Sequence, residues 1–249
     1  MPIALLSDIH GNEIALNAVL ADIAGQGGAD AYWILGDLVA LGPSPVRTLD
    51  ILSALPNARF IRGNTDRYVC TGDRPSPGIE EAKRNPHLVD TLVELANTFA
   101  WTQGMVTASG WLQWLQDLPL EMRVTLPDGT RFLGVHASPG QDDGLGISPD
   151  RDAAEIAGLL ADSNADLICV GHTHRPWESR IQGIHVVNLG AVSLSLTNDK
   201  YSSYVLLNAH ADKYTVEHRR VPYDRGAVID QLNRIGHPGR GFLIPKFSD

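Results

Sequence analysis

Five strand-like apolar runs in this sequence each break off at a residue that can bind a metal ion. The run 3–6 leads into Asp8 and His10, the run 31–35 into Asp37, and the run 58–62 into Asn64. The return strand of a hairpin near 120–135 leads into His136, and the buried run 167–170 into His172 and His174. In open α/β sheets, binding sites form just beyond the carboxyl ends of the strands. If these strands are neighbours, seven nitrogen and oxygen donors meet in one crevice.

The segments between the runs carry helical periodicity. Leu16, Val19, Leu20 and Ile23 recur at i, i+3, i+4 and i+7, and Gly25, Gly27 and Gly28 follow them. Ser44 and Pro45 read as the start of a second helix with Val46, Leu49, Leu52 and Leu55 on its face. The first 62 residues thus read β, α, β, α, β, which favours a largely parallel sheet with right-handed crossovers. Residues 79–118 read as helical, and 73–78 as a loop. A hairpin follows, turning at Pro127-Asp128-Gly129, then a helix starting at Ser148-Pro149. Antiparallel strands are expected near 179–189, 201–207 and 213–221, and a helix near 225–235. No repeat or linker divides the chain, so residues 1–249 read as one domain.

The donor set holds two Asp, one Asn, four His and no Cys. It suits Mn, Fe, Zn, Co or Ni rather than a thiolate-bound metal. Seven donors exceed what one open tetrahedral ion needs. They fit two ions about 3.5–4 Å apart that share a bridging carboxylate. Asp37 is the natural bridge, because Gly36 before it allows close approach. The two cysteines, Cys70 and Cys169, lie far apart and suggest no disulfide framework.

Asp8-Ile9-His10, Gly36-Asp37, Gly63-Asn64, the lone His136 and Gly171-His172-Thr173-His174 occur in this order. Together they resemble the five-block signature of the calcineurin-like metallophosphoesterases, over residues 8–174. The tail with Asn188-Leu189-Gly190 is similar to the small bacterial and archaeal phosphodiesterase-type branch. The resemblance implies an α/β fold: a four-layer αββα sandwich of two mixed sheets flanked by helices, with a dinuclear site at the strand ends. It implies that one ion takes Asp8, His10, His174 and Asp37, and the other Asp37, Asn64, His136 and His172. It also implies that a metal-bridging hydroxide attacks phosphorus in line, with Asp37, Asn64 and His136 at the heart of the chemistry.

One block departs from the family pattern. Many members have His after the Gly-Asn, where it protonates the leaving group; here Thr65 stands there, followed by Asp66. A neutral hydroxyl is a poor general acid. Relatives without that His resemble phosphodiesterases more than monoesterases. Arg67 and Arg175 flank the ligand blocks and are read as phosphate forks or as surface ion pairs. Asn12 is read as a substrate contact or, preferably, a helix cap. Asp66 reads as a carboxylate orienting a metal-binding His or as a cap of the following turn, the first preferred, and Gln141-Asp142-Asp143-Gly144 as a lip of the site or, preferably, a plain polar loop. His87, His185, His210, His218 and His237 read as surface or satisfied core residues, and Trp111 and Trp114 as helix core.

The expected function is therefore phosphodiester hydrolysis of a small phosphate-ester substrate with two divalent ions. Phosphomonoester or nucleotide pyrophosphate hydrolysis is the alternative. A further one is a scaffold that keeps the fold without turnover, similar to the retromer scaffold subunit of the superfamily; here, however, every ligand position is filled. With 20 basic and 29 acidic residues the formal charge is −9, which argues against tight nucleic-acid binding. No apolar run reaches membrane-spanning length, and the opening MPIALLSDIHGNE has no basic n-region. The expected location is the cytoplasm, and the oligomeric state is unreadable.

Overall fold

The computed structural model describes residues 1–248. In β1 (Pro2–Leu6), Ile3 and Leu5 face one way and Ala4 and Leu6 the other, and all four are fully buried. A strand buried on both faces needs a layer on each side. α1 (Glu13–Gly25), β2 (Ala31–Leu35), α2 (Pro45–Ser53) and β3 (Ala58–Ile61) follow. β1 pairs parallel to β2, and β2 to β3, as the alternation predicts. Asn12 caps α1, its side-chain oxygen accepting from the Ala15 N–H at 3.1 Å. Ser44 occupies the cap position of α2, but its hydroxyl donates to Glu13 Oε1 instead.

α3 (Asn64–Thr71) comes next. The continuous helix expected over 79–118 is divided into α4 (Ile79–Arg84), α5 (Val89–Ala108) and α6 (Leu112–Gln116). Pro86 cannot donate to a helix ladder, and Gly110 stops α5 by turning left-handed at φ +82°. β4 (Glu121–Thr125) and β5 (Arg131–Val135) form the expected hairpin. α7 (Ala153–Leu160) begins later than Ser148-Pro149 suggested, because Asp152 supplies the cap, accepting from the Ala154 N–H at 2.8 Å.

After β6 (Leu167–Val170), the strand expected over 179–189 is two: β7 (Trp177–Ile181) and β8 (Ile184–Asn188). They turn at Gln182 and Gly183, both at positive φ, as a tight hairpin requires. β9 (Ser202–Ala209), β10 (Tyr214–Val221) and α8 (Arg225–Arg234) match expectation. α9 (Arg240–Phe247) does not; Pro245 inside it hides it from a propensity reading.

Two mixed five-stranded sheets result, in orders β10-β9-β1-β2-β3 and β4-β5-β6-β8-β7. Between them lies a core of Ile3, Leu5, Trp33, Leu35, Phe132, Cys169, Val187 and Val205. Trp33 and Phe132 meet across it with ring centroids 4.7 Å apart. The outer face of the first sheet carries α1, α2, α3, α5 and α6; α7 covers the outer face of the second. This is the αββα sandwich implied by the motifs. The packing sets the parallel ends of β1, β2 and β3 beside those of β5 and β6.

Candidate metal centre

The loops leaving those five strands interlock. His10 N donates to Asp37 O at 2.9 Å, and Gly171 N to His136 O at 2.9 Å. His172 N donates to Asp8 Oδ2 at 3.0 Å, tying one sheet to the other. Five of the seven predicted ligands, Asp8, His10, Asp37, His172 and His174, have φ between 52° and 67°. Few non-glycine residues adopt this left-handed backbone, and it persists only where the surroundings impose it.

All seven side chains converge. Asp8 Oδ1 lies 3.1 Å from His174 Nε2, 3.8 Å from His10 Nε2 and 3.9 Å from His136 Nε2. Asp37 lies 3.4 Å from His136 Nε2 and 3.6 Å from His10 Nε2. Asn64 Oδ1 lies 3.1 Å from both His136 Nε2 and His172 Nδ1. Two sets of donor atoms sit close enough to share an ion: Asp8, His10 and His174, and Asp8, Asp37 and His136. In both, the common member is Asp8.

Three imidazoles are held from behind. His136 Nδ1 faces Leu35 O at 2.7 Å, His174 Nδ1 faces Leu194 O at 2.8 Å, and His172 Nε2 faces Gly144 O at 2.8 Å. A carbonyl only accepts, so each outer nitrogen carries the proton and the inner one is left to offer its lone pair. Asp8 Oδ1 and His10 Nδ1 are buried without a hydrogen-bond partner. An orphaned carboxylate oxygen among inward-facing imidazoles is costly unless a cation joins it. The residues present therefore fit divalent metal.

The electrostatics agree. Burial opposes ionisation of Asp8 and Asp37, but neighbouring histidines outweigh it and hold both carboxyls below the usual range, Asp37 far below. Burial pushes His10 down to about 4, while Asp37 and Asp8 overcome burial at His136 and push it up to about 10. In the absence of a cation, protons on imidazole balance the carboxylates; metal would replace them.

The four residues read as substrate contacts are placed less freely. Asn12 is fully buried, caps α1, and donates to Ser193 Oγ at 3.0 Å. Arg67 is engaged by Asp142 at 3.1 Å, Asp143 at 3.0 Å and Asp73 at 2.7 Å. Arg175 pairs with Asp150. The Thr65 N–H donates to Asp37 Oδ1 at 2.9 Å, while its buried hydroxyl has no partner among the described residues.

Two readings need correction. Asp66 touches no histidine and takes the capping alternative: it accepts from the α3 cap Gly63 N and from Leu38 N at 2.9 Å and from Val39 N at 3.2 Å, bracing backbone around Asp37. Burial and the Asp37 charge push it up to about 7. The loop 141–144 is more than a polar loop. Asp142 and Asp143 anchor it to Arg62, Arg67 and Tyr68, and its Gly144 carbonyl holds His172. Asn188 escaped a role although it too ends a strand. Its amide donates to Ile147 O, Gly171 O and Thr173 Oγ1 at 2.8–3.1 Å, fixing the His172–His174 turn.

A sandwich of two mixed sheets, with carboxylate and imidazole donors gathered at one edge, belongs to the hydrolases of phosphoric esters that use divalent metals. Residues 1–176 match the calcineurin-like phosphoesterase family, and the chain belongs to it. It is similar to a metallophosphoesterase of Sphaerobacter thermophilus, with 26% identity and a TM-score of 0.77, over 99% of this chain and 98% of that one. It is also similar to an uncharacterized protein of Methanocaldococcus jannaschii, 28% identical over 77% of this chain and 70% of the relative. The symmetrical bis(5'-nucleosyl)-tetraphosphatase of Pectobacterium carotovorum is 25% identical over 72% of this chain, but the match takes in only 59% of that enzyme. Among the described residues no helix is long and apolar enough to cross a membrane.

Proposed function

We propose that the chain hydrolyses phosphodiesters at a centre of two divalent ions. Asp8, His10 and His174 would hold one ion, Asn64, His136 and His172 the other, with Asp37 between them. The observation that carries this reading is the set of imidazoles braced on carbonyls with their inner nitrogens turned toward two buried carboxylates. When bound, such ions supply an activated water and positive charge against the phosphoryl oxygens. Residues 1–249 would act as one unit, since β9 completes the sheet that β1 begins.

The protein's own residues set the leaving-group preference. Thr65 occupies the position where many relatives have a proton-donating His, and a neutral hydroxyl does not donate well at pH 7. Groups that depart as stable anions are therefore favoured over alkoxides. The unpaired Thr65 hydroxyl remains available for a hydrogen bond to substrate. Arg67 and Arg175 could reach a phosphate only by releasing carboxylates, so we assign them to loop bracing.

A second reading, phosphoanhydride hydrolysis of nucleoside polyphosphates, is favoured by the relatives named as tetraphosphatases. It shares the same leaving-group logic, because a departing nucleotide needs no acid. The test is hydrolysis of bis(p-nitrophenyl) phosphate, p-nitrophenyl phosphate and diadenosine tetraphosphate by metal-stripped protein reloaded with Mn²⁺. Diester turnover above monoester turnover, abolished by chelator, supports the first reading. Preference for the tetraphosphate supports the second, and preference for the monoester refutes both.

A further inference from the structure

A cavity of about 460 Å³ opens directly beside the candidate centre, with His172 and His174 in its wall. Apart from Leu41, the rest of the wall comes from beyond residue 176, where the family match ends. Leu194 and Leu196 line it from the segment before β9, Phe242 and Lys246 from α9, and Lys200 from between them. The volume lies in the range of pockets that bury a small organic molecule.

Its chemistry is two-sided. Leu41, Leu194, Leu196 and Phe242 make it mainly apolar, and Leu196 is 61% exposed at its rim. Against that stand Lys200 and Lys246, two of only four lysines in a chain of net charge −9. Among the described residues no carboxylate lines the cavity. The Lys246 ammonium rests 4.4 Å from the Phe242 ring centroid, so ring and charge are presented together. Lys200 donates to Ser248 O, which leaves its other two N–H groups for an anion. The cavity is also tied to the centre: Leu194 sits at φ +57°, and its carbonyl receives the His174 Nδ1 proton.

An apolar slot with paired ammonium groups, next to a phosphoryl-transfer site, matches a ligand that is part flat heterocycle and part phosphate. We infer that this cavity holds the nucleotidyl group flanking the scissile phosphate, its base against Phe242 and the leucines and its phosphate against Lys200 and Lys246. This rests on the phosphoesterase reading of the centre and adds a substrate class to it.

The test compares two aryl esters, bis(p-nitrophenyl) phosphate and the terminal p-nitrophenyl ester of thymidine 5'-diphosphate, in which a thymidylyl group flanks the scissile phosphate, on the Mn²⁺-loaded protein. Calorimetric titration of AMP into metal-free protein reads the cavity without turnover. The variants are Lys200→Gln, Lys246→Gln and Leu196→Glu; Phe242→Ala is included, although partial burial of Phe242 makes its folding less secure. Each lysine variant is expected to raise KM for the nucleotidyl ester about tenfold more than for the aryl diester, with AMP affinity falling in step. Phe242→Ala should weaken AMP at least about fivefold. Equal effects on both esters, or wild-type protein that does not bind AMP, overturns the inference. Lysine-dependent AMP binding without turnover of either ester would leave the cavity assignment standing and sink the phosphoesterase reading. Turnover of the aryl diester without AMP binding would do the reverse.

Discussion

Gly63→Ala isolates how tightly the centre is built. Gly63 has φ −101° and ψ 179°, extended backbone that alanine adopts freely, so the substitution brings no conformational strain. Its methyl group, however, would stand 2.1 Å from Asp37 Oδ1 and 2.3 Å from Asp37 N. To restore ordinary contact, the Asp37 carboxylate and its backbone N must each move away by more than about 1 Å. That movement also breaks the carboxylate's bond from the Thr65 N–H, now 2.9 Å long. Overpacking of this kind costs about 1–3 kcal/mol, of which roughly 0.4–1 is recovered from the stiffer unfolded chain. A net loss of about 1–2 kcal/mol lowers Tm by roughly 2–8 °C in a chain of this size. Misplacing a reacting group by about 1 Å costs on the order of 10²-fold in rate, so activity should suffer far more than stability. Gly104→Ala is the matched control. Gly104 lies exposed within α5 with nothing within 4 Å of its would-be methyl, and the change should stabilise by about 0.5–1 kcal/mol. Thermal unfolding by circular dichroism, with Mn²⁺-dependent hydrolysis of the aryl diester, reads both quantities. Wild-type turnover and Mn²⁺ affinity in Gly63→Ala would refute the argument that Asp37 must stay where it is.

Three further outcomes are expected. Asp37→Asn should lower kcat by about 10²–10³-fold and reduce bound Mn²⁺ measured by elemental analysis; full activity with two ions bound would remove Asp37 from the centre. Tyr68→Phe removes one of the two side chains that hold Asp143, leaving Arg67, and so loosens the loop whose Gly144 carbonyl holds His172; Mn²⁺ affinity should fall about tenfold, read by competition with a chelating dye. His237 is fully buried, and burial pushes it down to about 4 from 6.5. The folded state therefore keeps it neutral while the unfolded chain takes up a proton. Its contribution is intact above pH 6.5 and drains away as pH falls to about 4, reaching about 3 kcal/mol, and urea melts of His237→Leu should lack this share of the acid sensitivity.

The seven convergent side chains were legible because they follow from strand ends, and the sandwich because the motifs at those ends resemble a known family. The unbroken apolar run Ile3, Ala4, Leu5 and Leu6, buried throughout, marks a strand covered on both faces, and a polar group after such a strand has only one edge to occupy. What stayed hidden depends on local hydrogen bonds between distant segments. Nothing in Asp66 announces that it serves three backbone N–H groups rather than a histidine. The loop around Asp142 looked idle because its partners, Arg62 and Arg67, lie some 80 residues earlier. The break at Pro86 was visible in principle, whereas the left-handed backbone of Asp8 and His172 is imposed by neighbours and leaves no mark on residue type. α9, with its proline, supplies the cavity wall that sequence periodicity did not locate.

The order of strands in the first sheet has a consequence for synthesis. β1 lies between β2 and β9, with Ile3 opposite Leu207. When the ribosome has finished β3, one edge of β1 is still bare, and its mate is more than 130 residues away. At about 5–20 residues per second, the nascent chain carries that open edge for on the order of ten seconds. An exposed edge invites pairing with any passing strand. The emerging chain thus needs shielding until β9 arrives, and resistance to protease should appear only after residue 209 has left the ribosome.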